Sequence, residues 1–349
     1  MGLETHPDRG SRGVRPAAQQ PPVLRRNLLI LPERLSLVRR AGRIALAALF
    51  VALAVGASLS SAQPTIYILK VSESQGWWTT PDLLVTRIRE YLDNAAKDLG
   101  LTFNVEVIDS IERWERLVNE SPPNAVIINA HGELVPVPPK YGTDWQSFYR
   151  DLAMNIMYKG WVFVNPIGYG FYYVTYNYTR RPDGTWDWAL LTVGPAGLDT
   201  LGGWLGIVAT AWPEAAGGTP KLTDLGNHVF GVLGYDMPDT ANAPRPVTTN
   251  VPASWYFYVL EAGNATAYAC VEFSIGKGAL LWGGWASSPV EDQARVAVAM
   301  TLYHLFPSEI EAAQPKPKGL RPEQIILIAW GAAAVVMVLL LLRVLRKRS

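Results

Sequence analysis

The chain has 349 residues, 49% hydrophobic and 17% charged, with a formal net charge of +1. That length suits one large or two small domains plus membrane segments, and so low a charged fraction is unusual for a soluble protein. One cysteine, Cys270, excludes an intramolecular disulfide and a cysteine-based zinc site, so the globular part must be held by an ordinary apolar core.

The near-zero net charge hides an asymmetry. Met1–Ala62 carries 9 Lys/Arg against 3 Asp/Glu, Gln63–Leu320 carries 17 against 26, and Arg321–Ser349 carries 5 against 1. The acidic middle argues against nucleic acid or anionic lipid as its partner. Residues 1–43 begin Pro-, Gly- and Gln-rich and end basic, which predicts a disordered cytoplasmic region. Ile44–Leu59 is apolar and uncharged, and Ser60 and Ala62 follow at the positions a signal peptidase reads. Residues 44–62 are therefore expected to be a signal peptide, or a signal anchor if retained.

From Gln63 the rhythm is strand, helix, strand. Thr65–Val71 is a β-branched apolar run and reads as a buried strand. Pro81 opens a helix through Leu99, with Thr80 as its cap and Leu84, Ile88, Tyr91, Leu92 and Ala95 on one face. Leu101–Ile108 is a strand, Asp109 and Ser110 start a helix to Val118, and Asn124–Asn129 is a second apolar strand. A long loop from Ala130, the helix Trp145–Tyr158 and the strand Gly160–Asn165 follow. Continuous apolar strands alternating with amphipathic helices predict an α/β fold with a mostly parallel sheet, in which ligands meet the loops beyond the carboxyl ends of the strands. Those loops are Ser72–Trp78, His131–Tyr141 and Pro166–Tyr172.

Beyond Phe171 the pattern changes. Two hairpins, one turning at RRPDGT and one joining Trp255–Glu261 to Ala265–Ser274, flank short helices at Asp199–Leu205 and Leu222–Leu233. Residues 171–263 read as an insertion, after which ALLWGGW and a helix Val290–Phe306 complete the sheet. Residues 307–322 form a Pro-rich tether. Ile325–Leu342 has no charge, and at 1.5 Å per residue it spans roughly 27 Å, close to the ~30 Å hydrocarbon core. Residues 323–343 are the expected transmembrane helix. Arg343, Arg346, Lys347 and Arg348 behind it place the tail 344–349 in the cytoplasm and residues 63–306 outside.

The strand-HGE segment (Asn124–Glu133), the strand-NPIGYGF segment (Trp161–Phe171) and GKGALLWGG (Gly276–Gly284) resemble the class I glutamine amidotransferase-like, or ThuA-like, domain. The resemblance implies a flavodoxin-like three-layer sandwich with a β-rich insertion, in a membrane-anchored surface protein of prokaryotic, archaeal type. Catalytic members of that family carry a cysteine on a tight turn after the fourth strand. Here the turn is Gly168-Tyr169-Gly170, and Tyr169 cannot act as a thiolate. The resemblance therefore implies a domain without amidotransferase chemistry.

Candidate chemistry is sparse. His131 with Glu133 could act as acid and base at a strand's carboxyl end, and Ser72, Glu73, Asn129, Gly168, Tyr169 and Gly170 could line a ligand site there. The alternative is that these residues cap helices and satisfy loop backbone. A metal would have to draw on His131, His228, His304 and carboxylates, and none is expected. No G-x-S-x-G elbow, G-x-G-x-x-G or P-loop is present, and no cofactor is expected. Thirteen Trp and fifteen Tyr invite a carbohydrate reading, with Trp77, Trp78, Tyr141, Trp145, Tyr169, Tyr172 and Tyr173 near the ligand edge, against the alternative that they pack the core. Asn177 and Asn264 fit the N-glycan acceptor pattern. The sequence thus predicts an extracytoplasmic binding module whose partners are the bilayer and either another membrane protein or a carbohydrate. An extracytoplasmic hydrolase using His131 and Glu133 on polysaccharide or peptide is the alternative.

Overall fold

In the computed structural model the described residues are 63–183, 186–211, 219–262 and 265–316, with the isolated positions 330 and 337. The chain divides into two units, Met1–Ala62 and Gln63–Ser349, and every described residue belongs to the second. In chain order the elements are β1 (Thr65–Leu69), α1 (Pro81–Leu99), β2 (Asn104–Ile108), α2 (Ile111–Glu120), β3 (Val126–Asn129), β4 (Leu134–Pro136), α3 (Trp145–Met154) and β5 (Val162–Ile167). Next come β6 (Tyr173–Arg180), β7 (Trp186–Thr192), α4 (Pro195–Leu205), β8 (Ala209–Ala211), β9 (Lys221–Leu222), α5 (Asp224–Leu233) and β10 (Val247–Thr249). The last are β11 (Trp255–Ala262), β12 (Ala265–Ile275), β13 (Gly278–Trp285), α6 (Val290–Leu305) and α7 (Pro307–Ala312).

The fold is mixed α/β around a mainly parallel central sheet. Strands β2, β1, β3, β5 and β13 lie side by side in that order, all parallel. Their apolar runs are continuous because both faces are covered. Ile66, Ile68, Val126, Ile128, Val162 and Val164 enter a core with α1, α5 and α6, while Leu69, Ile127 and Phe163 enter a second core with α2, α3 and α4. Helix α1 presents Leu84, Val85, Ile88, Leu92 and Ala95 inward and ends at Gly100 in the left-handed conformation. Helix α6 is buried almost all round from Gln293 to Tyr303, which is why its sequence lacks a polar stripe. Ser110 accepts from the Arg113 N–H and Asp144 from the Ser147 N–H, capping α2 and α3.

Three features differ from the sequence expectation. The strand expected from Leu101 starts at Asn104, because the chain must first turn out of the helix end at Gly100. The long loop after β3 contains β4, which pairs in parallel with β6; with β7 they form a separate three-stranded sheet. The segment 171–263, read as an insertion, is from β8 onward built into the central sheet. Strands β8 to β11 join β12 and extend the central sheet beyond β13 with antiparallel pairs. At Cys270 the backbone takes φ 52°, so Ala269 and Cys270 both face the α6 core, and β12 passes there from pairing with β10 to pairing with β13.

Among the described residues no helix is long and apolar enough to cross a membrane. Both expected membrane segments, Ile44–Leu59 and Ile325–Leu342, lie outside the described residues apart from Trp330 and Met337. Asn264 also lies outside them, and Asn177 belongs to β6 with its side chain outside the described set.

Candidate functional site

Strands β1 and β3 are neighbours, but the chain leaves them toward opposite faces, to α1 and, past β4, to α3. Their carboxyl ends therefore open the crevice where ligands of such sheets bind. Here the chain's own histidine fills it. His131 follows β3 and is wholly buried. Its Nε2 accepts the Val71 N–H at 2.9 Å, and its Nδ1 lies 2.8 Å from the Gln75 carbonyl, to which it donates. Both ring nitrogens are thus committed to the loop after β1. Burial is the largest influence on its acidity and lowers its pKa from 6.5 to about 4, so the ring is neutral at physiological pH.

Two buried asparagines hold the loops behind it. Asn129 donates to the carbonyls of Gly132 (2.9 Å) and Leu134 (3.1 Å) and to Asn165 Oδ1 (3.3 Å), and its own oxygen accepts the His131 N–H. Asn165 donates to the Ile167 carbonyl at 3.1 Å. Asn165 was missed by sequence reasoning, although a signal existed: VIIN and VFVN both end an apolar run on asparagine. Ser72, by contrast, is exposed and donates to the Asp109 carbonyl at 2.7 Å, joining the loops after β1 and β2. Glu73 turns toward α2. Burial raises its pKa, opposed by hydrogen bonds from its own backbone and from Ile111.

Glu133 is the hub of the edge. Its N–H donates to the Trp77 carbonyl at 3.2 Å, its carbonyl accepts the N–H groups of Tyr172 and Tyr173 at 3.1 Å, and its Oε1 accepts the Tyr169 N–H at 2.6 Å. Glu133 as a residue is 5% exposed, and burial raises its carboxyl pKa against the opposing pull of the Tyr169 N–H and Arg245. The turn that delivers Tyr169 is left-handed at Gly168, Gly170 and Phe171 but not at Tyr169. A Cβ at Gly168 would overlap the Glu133 side chain, and one at Gly170 would overlap the Asn165 amide. The two glycines therefore give room to the groups beneath the turn.

Around Glu133 four half-buried rings run in sequence. Trp77 lies 4.4 Å from Tyr173, Tyr173 lies 4.9 Å from Tyr172, and Tyr172 lies 5.1 Å from Tyr169, centroid to centroid. Arg245 stands 5.6 Å over the neighbouring Trp78 ring. Burial, then the Glu133 charge, raises the Tyr173 phenol pKa. The other expected aromatics sit elsewhere: Trp145 is buried against Tyr149, and Tyr141 packs on Phe148 and donates to Asp151.

The loop bearing Trp77 and Trp78 is clamped from α6. Gln293, fully buried, donates to the carbonyls of Trp78 (3.0 Å) and Ala286 (2.8 Å) and accepts from the Thr79 hydroxyl (2.8 Å). No sequence signal marked it, since a glutamine in a helix's first turn is ordinary. Of the remaining histidines, His304 at the end of α6 lies 2.6 Å from Glu272 on β12, and His228 bonds the Ile310 carbonyl at 3.1 Å. Cys270 is buried, and burial pushes its thiol pKa up. Among the described residues no cluster of three or more His, Cys, Asp or Glu could hold a metal. Compared with known proteins, the chain matches no protein-family model and no curated protein sequence.

Proposed function

We propose that the protein is a membrane-anchored extracytoplasmic binding module that recognises a ligand or partner at the carboxyl edge of its parallel strands and performs no chemistry. The carrying observation is His131. A general base must present a free nitrogen to its substrate, whereas this ring is wholly buried with both nitrogens bonded to backbone. Glu133 is likewise committed, holding Trp77, Tyr169, Tyr172 and Tyr173 in place.

The parallel strand order, second-first-third-fourth-fifth, agrees with a flavodoxin-like arrangement, and the amidotransferase-like or ThuA-like reading, with Tyr169 on the nucleophile's turn, rests on the sequence resemblance alone. The anchoring rests on the uncharged run Ile325–Leu342 and the cations behind it. The test is an assay of the purified full chain on polysaccharide and peptide substrates. The expected result is no turnover. Turnover that disappears in His131→Ala would overturn the proposal in favour of a hydrolase.

A further inference from the structure

Three of the four rings at the carboxyl edge are explained by neither core. Trp77, Tyr172 and Tyr173 belong to neither apolar cluster, and only Tyr169 packs at the margin of one. Large aromatic residues that stay half-exposed while backbone hydrogen bonds fix their positions suit a binding face better than a folding contact. Trp77 is fixed through its N–H to the His131 carbonyl at 2.9 Å and through its carbonyl to Glu133, and Tyr172 and Tyr173 through the Glu133 carbonyl.

We propose that the ring ribbon Trp77–Tyr173–Tyr172–Tyr169, with Glu133 and Arg245 beside it, binds an uncharged oligosaccharide. This rests on reading the domain as a binding module and adds the ligand's class. A pyranose offers an apolar C–H face to a ring and hydroxyls at its rim, and the ribbon offers half-buried aromatic rings, with the Trp77 indole tied to the Tyr173 phenol. Among the described residues, the charges that act on the Tyr169 and Tyr173 phenols are the Arg245 guanidinium against the carboxylates Glu133 and Asp199. Carboxylates outnumber cations among these groups, which disfavours a polyanion. A proline-rich peptide, which also docks on aromatic grooves, has few N–H groups to donate.

The test titrates the full chain, purified in detergent, with short uncharged hexose and N-acetylhexosamine oligosaccharides. A sulfated oligosaccharide and a proline-rich peptide serve as comparison ligands, and calorimetry is the readout. One uncharged oligosaccharide should saturate the protein with little dependence on salt. Trp77→Ala and Tyr172→Ala should each weaken it by about tenfold or more, the loss of one stacked ring. Tyr172→Phe keeps the ring and should retain most of the affinity, which separates a lost contact from a lost fold. Trp188→Ala, on β7 at an exposed position away from the ribbon, should change nothing. Unchanged affinity in both ribbon alanine variants, preference for the sulfated ligand or the peptide, or no saturation by any uncharged oligosaccharide overturns the ribbon proposal and leaves the binding reading standing. Cleavage of a glycan whose binding follows the ribbon variants overturns the non-catalytic reading and leaves the ribbon standing.

Discussion

At the scale of single residues, His131 shows how a side chain that looks catalytic serves as a staple. Its two bonds join the end of β3 to the loop after β1, and the crevice between these strands is filled by imidazole. The staple has a measurable pH signature. In the folded chain the pKa is about 4; unfolded, it returns to 6.5. Between those values the unfolded chain binds a proton that the folded chain refuses, so stability rises with pH there. The contribution is complete above about pH 6.5 and is lost as pH falls to about 4, by about 3 kcal/mol at 1.36 kcal/mol per pH unit. Glu133 acts in the opposite sense, because a raised carboxyl stabilises at low pH and loses that contribution as pH rises through its folded pKa. The clean measurement is therefore a difference. Denaturant unfolding of wild type and His131→Gln across pH 4 to 7 should show the wild-type advantage shrinking on acidification; a constant gap would refute the staple's titration.

At the scale of elements, sequence periodicity revealed what burial controls. Strands β1, β3 and β5 and helices α1, α2, α3 and α6 were all legible, because each buries an apolar run or stripe whose spacing is its own signature. Elements held by backbone pairing were harder. Strand β4 is three residues long and was read as loop, since its pairing with β6 depends on a partner almost forty residues away along the chain. The candidate site was legible in its residue types and not in its wiring. His131, Glu133 and Tyr169 were singled out, yet nothing in their spacing told that Glu133 organises the edge or that Gln293 clamps the Trp77–Thr79 loop from α6. That clamp predicts a local effect. Gln293→Met keeps the volume but leaves two carbonyls and a hydroxyl without their partner, at a cost of about 3 kcal/mol. Hydrogen exchange should accelerate in residues 75–80 before it does in β3 or β5. Equal protection of that loop in variant and wild type would show that the clamp does not hold it.

At the scale of the molecule, the direction of the strands relates the candidate site to the anchor. Gln63 lies just before β1, at the amino edge of the parallel sheet. Lys316 ends the last continuous described stretch at the same edge, with its N–H on the Gly231 carbonyl and its ammonium 2.6 Å from Asp98 near the end of α1. The segment between α6 and Lys316 is strapped down by His228 on the Ile310 carbonyl and by the buried Ile310 side chain. The aromatic ribbon occupies the opposite, carboxyl edge. If Ile325–Leu342 anchors the chain as proposed, the described chain leaves toward that anchor from the edge opposite the ribbon. Exposed Ser72 marks the carboxyl edge and Ser349 marks the basic tail. Because Cys270 is fully buried with its thiol pKa raised, single cysteines placed at these two positions report without interference. In intact cells a membrane-impermeant maleimide should label Ser72→Cys and should reach Ser349→Cys only after permeabilisation. Labelling of Ser349→Cys in intact cells, or of neither until lysis, would remove the anchor orientation and with it the extracytoplasmic placement of the ribbon.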